Sequence, residues 1–412
     1  VNNDSIVLQP TPSAMLTAAG GSRAGRAGDG RQAVFVRVLF TLFAIGWAAN
    51  HFTGLLPAIS SAEHLTQSTR DAIFGVYALG LVPGLVLGGR VSDRIGRFPT
   101  TCAGVLGALA GNLLMLVSLH PAVLLSGRLV VGIGVGLAVT SCTAWASDLK
   151  GAAGAATGAV ALSLGFAFGP FASGFVACLG RSSIQGCFGM AAGIVTVSLL
   201  AVILAFRRAD VATVTPAGGT DTPSGPRGTR SALSWAMPLA PWVFASVCLA
   251  AVSIPTHVHT SLPAPFVFGT ATMLTIVAGV AIQMIARTRN WGPWTGTVGA
   301  VLAASGYAAA AAAPQTSNLW VAVTLMLLLG CAYGLCLREG LIDLESAAPP
   351  AVRGALTGMF YAVAYIGFGL PLLLTVAGPV RGSIILTAMA ILAASAAVSR
   401  AIRLLRTSHR TS

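Results

Sequence analysis

The stretch 71-DAIFGVYALGLVPGLVLGGRVSDRIGRFPTTCAGVLGALAGNLLMLVS-118 decides how this chain is organised. Two mostly apolar runs, 71–90 and 99–118, flank a short segment carrying Arg90, Asp93, Arg94 and Arg97. About 20 apolar residues, rising ~1.5 Å each, cross the ~30 Å hydrocarbon of a bilayer. The stretch therefore reads as two membrane-spanning helices joined by a basic turn.

Composition extends this reading to the whole chain. Of 412 residues, 55% are hydrophobic and only 8% charged, and mean hydropathy is +0.82. A soluble domain carries roughly 25% charged residues, so soluble enzymes and nucleic-acid binders are excluded. No sustained apolar/polar alternation marks an outer-membrane barrel. The 49 glycines suit close helix approach within a membrane. The expected fold is an all-α integral membrane protein with twelve transmembrane helices, near 36–59, 71–90, 99–118, 122–146, 154–178, 187–206, 236–257, 266–286, 293–313, 319–341, 354–376 and 382–402.

The polar stretches set the division. Residues 1–33 read as a disordered tail, 34–206 as a six-helix half, 207–235 as a central loop, 236–402 as a second six-helix half, and 403–412 as a tail. With the N-terminus cytoplasmic, nineteen Arg and Lys residues fall inside and three (Arg70, Arg181, Arg381) outside. The positive-inside rule then puts both termini in the cytoplasm, and the net charge of +13 becomes an orientation signal. The Arg-, Ala- and Gly-rich composition fits a bacterial inner membrane. The halves also repeat: Gly154-Ala-Ala-Thr-Gly158 corresponds to Gly354-Ala-Leu-Thr-Gly358, and Phe168-Gly169 to Phe368-Gly369. Parallel six-helix repeats with a midplane site are a transporter architecture.

Three motifs resemble those of the major facilitator superfamily. Gly89, Asp93, Arg94, Gly96 and Arg97 match its Gly-x-x-x-Asp-Arg-x-Gly-Arg loop between spans 2 and 3. The resemblance implies an inner-gate latch, with Arg94 and Arg97 pairing with carboxylates such as Asp148. Gly158, Gly165, Gly169, Pro170 and Gly174 resemble the span 5 pattern of the family's drug/proton antiporters, with Ser173 at a position usually Gly. Arg128, with Gly132 and Gly134, resembles a span 4 pattern implicated in proton coupling.

Span 1 departs from that group, because it carries no Asp or Glu. Asn50 and His51 stand there instead, and His titrates near neutrality. His51, Asn50 and Arg128 are the candidates for proton coupling or the substrate cavity; a neutral, hydrogen-bonded His is the alternative. Glu339 and Asp343 are i,i+4 and share a helix face, so with Arg338 and Arg353 they form a candidate second-half inner gate. Cys178 and Cys187 flank an outer loop and would form a disulfide if their Cα atoms lie within about 7 Å. No metal-ligand spacing, phosphate-binding loop or nucleophile triad appears, so no cofactor and no enzyme activity is expected.

The expected function is secondary active transport: proton-coupled export of a small amphipathic molecule or drug by alternating access. A symporter for a sugar, metabolite or organic anion is one alternative, and a non-transporting scaffold or sensor is another. The expected partners are a small-molecule substrate, protons and the lipid bilayer, without nucleic acid, around a monomer.

Overall fold

The structure, a computed structural model, describes residues 12–180, 182–208, 228–313, 317–347 and 350–408; for 12–29, 152, 205–208, 317, 350–355 and 407–408 it describes the backbone alone. The described residues are helical almost throughout. The helices are α1 (Pro12–Ala62), α2 (Gln67–Ile95), α3 (Arg97–Val117), α4 (Pro121–Gly151), α5 (Ala153–Ala177), α6 (Ser182–Arg208), α7 (Thr229–His257), α8 (Ala264–Thr288), α9 (Gly292–Ala312), α10 (Leu319–Ala347), α11 (Pro350–Tyr365) and α12 (Leu370–Ser408). Among the described residues, eleven stretches are long and apolar enough to cross a membrane; the last, Leu356–Arg406, is 51 residues long. Large apolar side chains such as Leu79, Val117, Ile366 and Val380 are exposed on the bundle surface, as an apolar solvent permits.

The breaks between helices follow local chemistry. Gly96 has φ 102° and ψ 159°, so one residue ends α2 and starts α3. Gly151, with φ 62°, separates α4 from α5, and Gly378, with φ 75°, interrupts α12 just before Pro379. Within α7, Pro238 and Pro241 bracket a turn, and a π-helical segment, Leu249–Ser253, precedes a short 3-10 segment holding Pro255. Proline has no N–H to donate, which breaks regular helix pairing at these places. Among the described residues the strands are the two-residue Val258–His259 and Ser317–Asn318, paired in parallel.

The N-terminal segment and the central loop differ from expectation. Helix α1 starts at Pro12, so residues 12–33 continue the first helix instead of forming a tail. Proline suits a first helical turn, and the following segment contains no further proline until Pro57. Residues 229–235 belong to α7 rather than to the central loop. Residues 1–11, 209–227 and 409–412 lie outside the described residues.

Two halves, α1–α6 and α7–α12, each bury their own apolar core. The second-half core runs from Ala232 to Ala397. One first-half core, around Leu42, Cys142 and Ala146, is self-contained near the face that holds the start of α1 and the end of α12. We call this the terminal face. The other first-half core also takes in Cys248, Ala251, Val252 and Phe268 of α7 and α8. Those residues lie toward the opposite, far face, so the halves share apolar packing there.

The Gly96 turn is directly testable. Its backbone conformation is essentially restricted to glycine, and a side chain there costs about 1–3 kcal/mol. An added Cβ would meet nothing nearer than Pro99 Cδ at 3.6 Å, so the strain is backbone strain alone. Gly96→Ala is expected to lower the thermal midpoint of the detergent-solubilised protein, whereas Gly89→Ala, with open space around its Cβ, is expected to leave it unchanged.

Candidate functional site

Helix α4 is seated by glycines that point to opposite sides. Added Cβ atoms on Gly132 and Gly136 would strike the backbone of α2 near Tyr77 and Gly84, and one on Gly134 would strike α3 near Gly104 and Ala108. Helices can approach this closely only with small residues at the crossing. The close approach carries Arg128 into the bundle, where it is 1% exposed. Its Nη1 donates to the carbonyl of Ala49 at 2.8 Å. Its guanidinium lies over the rings of Phe52 and Tyr77, at 4.7 and 4.4 Å from the centroids. Arg128 Nε and Tyr77 Oη have no hydrogen-bond partner. A desolvated cation over an aromatic face gains about 2 kcal/mol, well short of the cost of burying the charge.

Asn50 and His51 lie on α1 beside this group but turn to different neighbours. Pro170 of α5 has no N–H, so the carbonyl of Phe166 loses its usual helical donor. Asn50 Nδ2 donates to that carbonyl at 2.8 Å, and Thr53 Oγ1 donates to Asn50 Oδ1 at 3.2 Å. The Asn50 amide is thus spent on repairing α5. His51 is fully buried. Its Nδ1 lies 3.2 Å from the carbonyls of both Trp47 and Ala48, its Nε2 has no partner, and its ring meets Phe188 edge-on at 5.4 Å.

The small residues of α5 are packed against α1. Gly158 faces Leu42, Gly165 faces Phe43 and Trp47, and Gly169 faces Trp47 and His51. Ser173 donates to the His51 carbonyl at 2.6 Å, a bond that glycine could not make. Gly174 is the exception: it lies against Pro265 and Gly269 of α8, where the halves cross. The sequence repeat does not extend to these contacts. In the second half it is Gly367, not Gly369, that meets the partner helix, at Phe244 and Ala245 of α7.

Beyond Tyr77 an aromatic cluster spans the two halves. Phe74 stacks on Phe368 at 5.3 Å, and Tyr77 lies 5.8 Å from the same ring. Phe244 stacks on Tyr365 at 4.2 Å and lies 6.1 Å from Tyr333, and Tyr361 stacks on Tyr365 at 6.2 Å. The aromatic residues are few, but these come from α2, α7, α10, α11 and the turn after α11. The sequence offered no signal for it, because no two helices contribute at a recognisable spacing.

The terminal face carries two separate charge networks. In the first half, Arg97 donates to Asp93 at 2.5 Å, to Ser92 at 3.0 Å and to Asp148 at 2.9 Å. Arg94 is exposed and is not part of this network, contrary to the expected pairing with Asp148. Gly89 lies inside α2, and Asp93 sits in its last turn rather than at a helix N-terminus. In the second half the centre is Arg400 of α12, 4% exposed. It reaches Asp343 at 2.6 Å, Glu339 at 3.2 Å and the Trp235 carbonyl at 3.1 Å, while Arg338 meets Glu339 at 3.4 Å. Arg400 had counted only as an orientation charge, because nothing in sequence ties 400 to 339. The side chain of Arg353 lies outside the described residues.

The expected disulfide is not formed: Cys178 and Cys187 are both free thiols. Cys178 is exposed and donates to the Gly174 carbonyl of α5, while Cys187 is buried and donates to the Ser173 carbonyl. Among the described residues no cluster of three or more His, Cys, Asp or Glu could hold a metal. One carboxylate escaped sequence reading altogether. Asp71, at the far end of α2, is 1% exposed; Arg70 Nη2 meets its Oδ1 at 2.9 Å and Thr375 of α12 donates to its Oδ2 at 2.5 Å.

Asn50→Leu tests the proline repair. It removes the donor to Phe166 while keeping side-chain bulk, and an orphaned buried carbonyl costs about 1–3 kcal/mol. A lowered thermal midpoint is expected for Asn50→Leu, with restoration when Pro170→Ala is added and α5 regains its own N–H.

Comparison with known proteins agrees with this architecture. Among curated relatives, Multidrug resistance protein MdtL of Salmonella schwarzengrund (strain CVM19633) is 28% identical over 81 residues, 20% of each chain. Multidrug resistance protein 2 of Bacillus subtilis (strain 168) is 25% identical over 154 residues, 36% of this chain and 38% of that one. These matches span a fifth to two fifths of the relatives' length. A crystal structure of the peptide transporter POT in complex with sulfate superposes with TM-score 0.75 at 14% identity, covering 90% of this chain and 94% of that one. A POT family transporter in complex with a thioalcohol-conjugated peptide gives TM-score 0.73 at 15% identity, covering 92% and 96%. The family model described as Major Facilitator Superfamily matches residues 38–372, the stretch holding the glycine-seated helices, Arg128 and the Arg97 network, and the chain accordingly belongs to the Major Facilitator Superfamily.

Proposed function

We propose that this transporter exports a small amphipathic molecule in exchange for protons, by alternating access between its two halves. The observation that carries the reading is the continuity between the buried Arg128 guanidinium and the aromatic cluster of Phe74, Tyr77, Phe244, Tyr333, Tyr365 and Phe368. Aromatic faces receive an apolar body in many orientations. The guanidinium, with its partnerless Nε and the partnerless Tyr77 hydroxyl, receives a polar end. The names of the multidrug resistance relatives favour export. A symporter for an organic anion remains the second reading, favoured by the same unneutralised charge of Arg128.

The same proposal includes twelve crossings. The 51 residues of Leu356–Arg406 would extend about 77 Å at ~1.5 Å per helical residue, far beyond one ~30 Å bilayer core. Gly378 and Pro379 divide the final stretch into two crossings, so that both termini lie on one face. The excess of Arg on that face supports a cytoplasmic location in a bacterial inner membrane. Exposed Cys178 then lies outside. A membrane-impermeant maleimide is expected to label Cys178 in intact cells, with labelling lost in Cys178→Ser; labelling only after permeabilisation would reverse the orientation.

The function is tested in proteoliposomes carrying a proton gradient and a panel of amphipathic compounds, with a pH-sensitive dye reporting proton release. A subset of compounds is expected to dissipate the gradient. Arg128→Lys keeps a charge but loses the planar fork and its stacking, and is expected to reduce that flux at least about tenfold, a loss of about 1.4 kcal/mol or more in transition-state terms. Uptake down the proton gradient instead of export would favour the symporter.

A further inference from the structure

The terminal face of the second half holds more arginine than its ion pairs use. Segments 229–236, 287–294, 338–353 and 400–406 carry eight Arg and three carboxylates, Glu339, Asp343 and Glu345. Arg338 and Arg400 meet Glu339, and Arg400 also meets Asp343. Arg230 and Arg406 are exposed and, among the described residues, pair with no carboxylate. Arg400, Arg403 and Arg406 recur every third residue of α12, and each such step turns about 60° round the helix. Arg400 faces the bundle. Arg403 lies over the Trp235 ring at 5.6 Å and donates to the Ser234 carbonyl at 2.9 Å. Arg406 turns one step further, to the edge of an exposed apolar row formed by Ile391, Val398 and Ile402, with Ile402 and Arg406 at i,i+4. Arg230 lies one turn outward of Ser234 on α7, as Arg406 lies one turn outward of Arg403. The two guanidinium groups therefore stand at one level beyond the Ser234–Arg403 contact.

Helix α9 runs antiparallel beside the last part of α12. Ser383 Oγ donates to the Ala311 carbonyl at 2.8 Å at the far end, and Arg400 Nη2 donates to the Pro293 carbonyl at 3.4 Å at the terminal end. Between these ties run about 26 Å of helix, close to the ~30 Å of bilayer hydrocarbon. Exposed Trp294 sits at the terminal tie, and Val298 and Val301 continue an exposed row from it. Arg406 lies about 9 Å further out than Arg400 along α12, at the level of the headgroups.

We propose that the seam between α9 and α12 binds an anionic phospholipid, whose phosphate is held by Arg230 and Arg406 and whose acyl chains lie along the two apolar rows. A guanidinium presents a planar fork that matches phosphate oxygens. An indole is favoured at the hydrocarbon edge, and basic clusters at the membrane end of a helix attract anionic lipids. A choline headgroup carries the same phosphate but adds a cation that these arginines repel. Inorganic phosphate has no chains for the rows. A second copy of this chain would bring the same arginines against one another.

Tryptophan fluorescence of the full chain in phosphatidylcholine vesicles reads this site. Phosphatidylglycerol brominated near the headgroup end of its chains is added at low mole fraction, and phosphatidylcholine brominated in the same way is the comparison, since bromine quenches an indole that it touches. In the wild type the anionic lipid is expected to quench at least about threefold more strongly than the zwitterionic one. Trp294→Phe is expected to lose that excess, which assigns it to this seam rather than to the other tryptophans. The double variant Arg230→Gln/Arg406→Gln is expected to lose it too. Arg31→Gln/Arg90→Gln removes the same net charge from the first half and is expected to retain it. Inorganic phosphate is expected to change the excess no more than chloride at equal ionic strength. Equal quenching by the two lipids in the wild type, an excess that survives in Arg230→Gln/Arg406→Gln, or an equal loss in Arg31→Gln/Arg90→Gln would overturn the proposal. So would specific displacement by inorganic phosphate, which marks an ion site, or loss of the excess as the protein-to-lipid ratio rises, which assigns the seam to a second copy.

Discussion

The charge of Arg128 sits inside an apolar bundle, and its neighbours are arranged around that fact. Two aromatic rings and one carbonyl hold the guanidinium. None of them is a carboxylate, so the charge is oriented without being neutralised. Such a group is costly in hydrocarbon and marks a functional position. It can be there only because α4 lies against α2 on Gly132 and Gly136 and against α3 on Gly134. The glycines bring the helices together, and the close approach shields the charge from lipid.

A second constraint is the hydrocarbon's refusal to solvate backbone. Every carbonyl freed by a proline must find a donor within the bundle. Asn50 serves Phe166 above Pro170, and Ser173 adds a bond to the carbonyl of His51. These bonds tie α1 to α5 as one unit on the first-half side. At the far face that unit meets the second half through Gly174, Pro265 and the shared core of Cys248, Val252 and Phe268. At the terminal face the Arg97 and Arg400 networks each stay within one half. The charged clusters stiffen the ends of the halves, and the joint between halves is mostly small-residue and aromatic. That division suits a molecule whose halves move as bodies.

Much of the candidate site was readable before any coordinates. Arg128 was conspicuous because an arginine inside an apolar run is rare, and the 89–97 loop because its spacing is specific. Glu339 and Asp343 were paired correctly by helical period, and the structure joins both through one guanidinium. What the sequence did not show has a common origin. That the Asn50 amide serves the Phe166 carbonyl was invisible, because sequence cannot show that a proline 120 residues later needs it. A Cys178–Cys187 bridge was conditional on the separation of their Cα atoms, which position along the chain does not give, and both are free thiols. Asp71 was passed over because, at the end of a span, it looks like an ordinary interfacial charge.

The sequence by itself determined that this chain is a multi-pass membrane protein, roughly where most of its apolar stretches fall, and which family it resembles. Those properties follow from local composition, helix length and short motifs, all of which are written along the chain. Tertiary structure alone decided which side chains share a neighbourhood: Arg400 with Glu339, Tyr77 with Phe368, Thr375 with Asp71. The reason is physical. In an apolar solvent all helix faces are similarly hydrophobic, so periodicity carries little information about which face meets which helix. Partners are selected by close packing at small residues and by the need to satisfy each buried polar atom, and both depend on residues hundreds of positions apart.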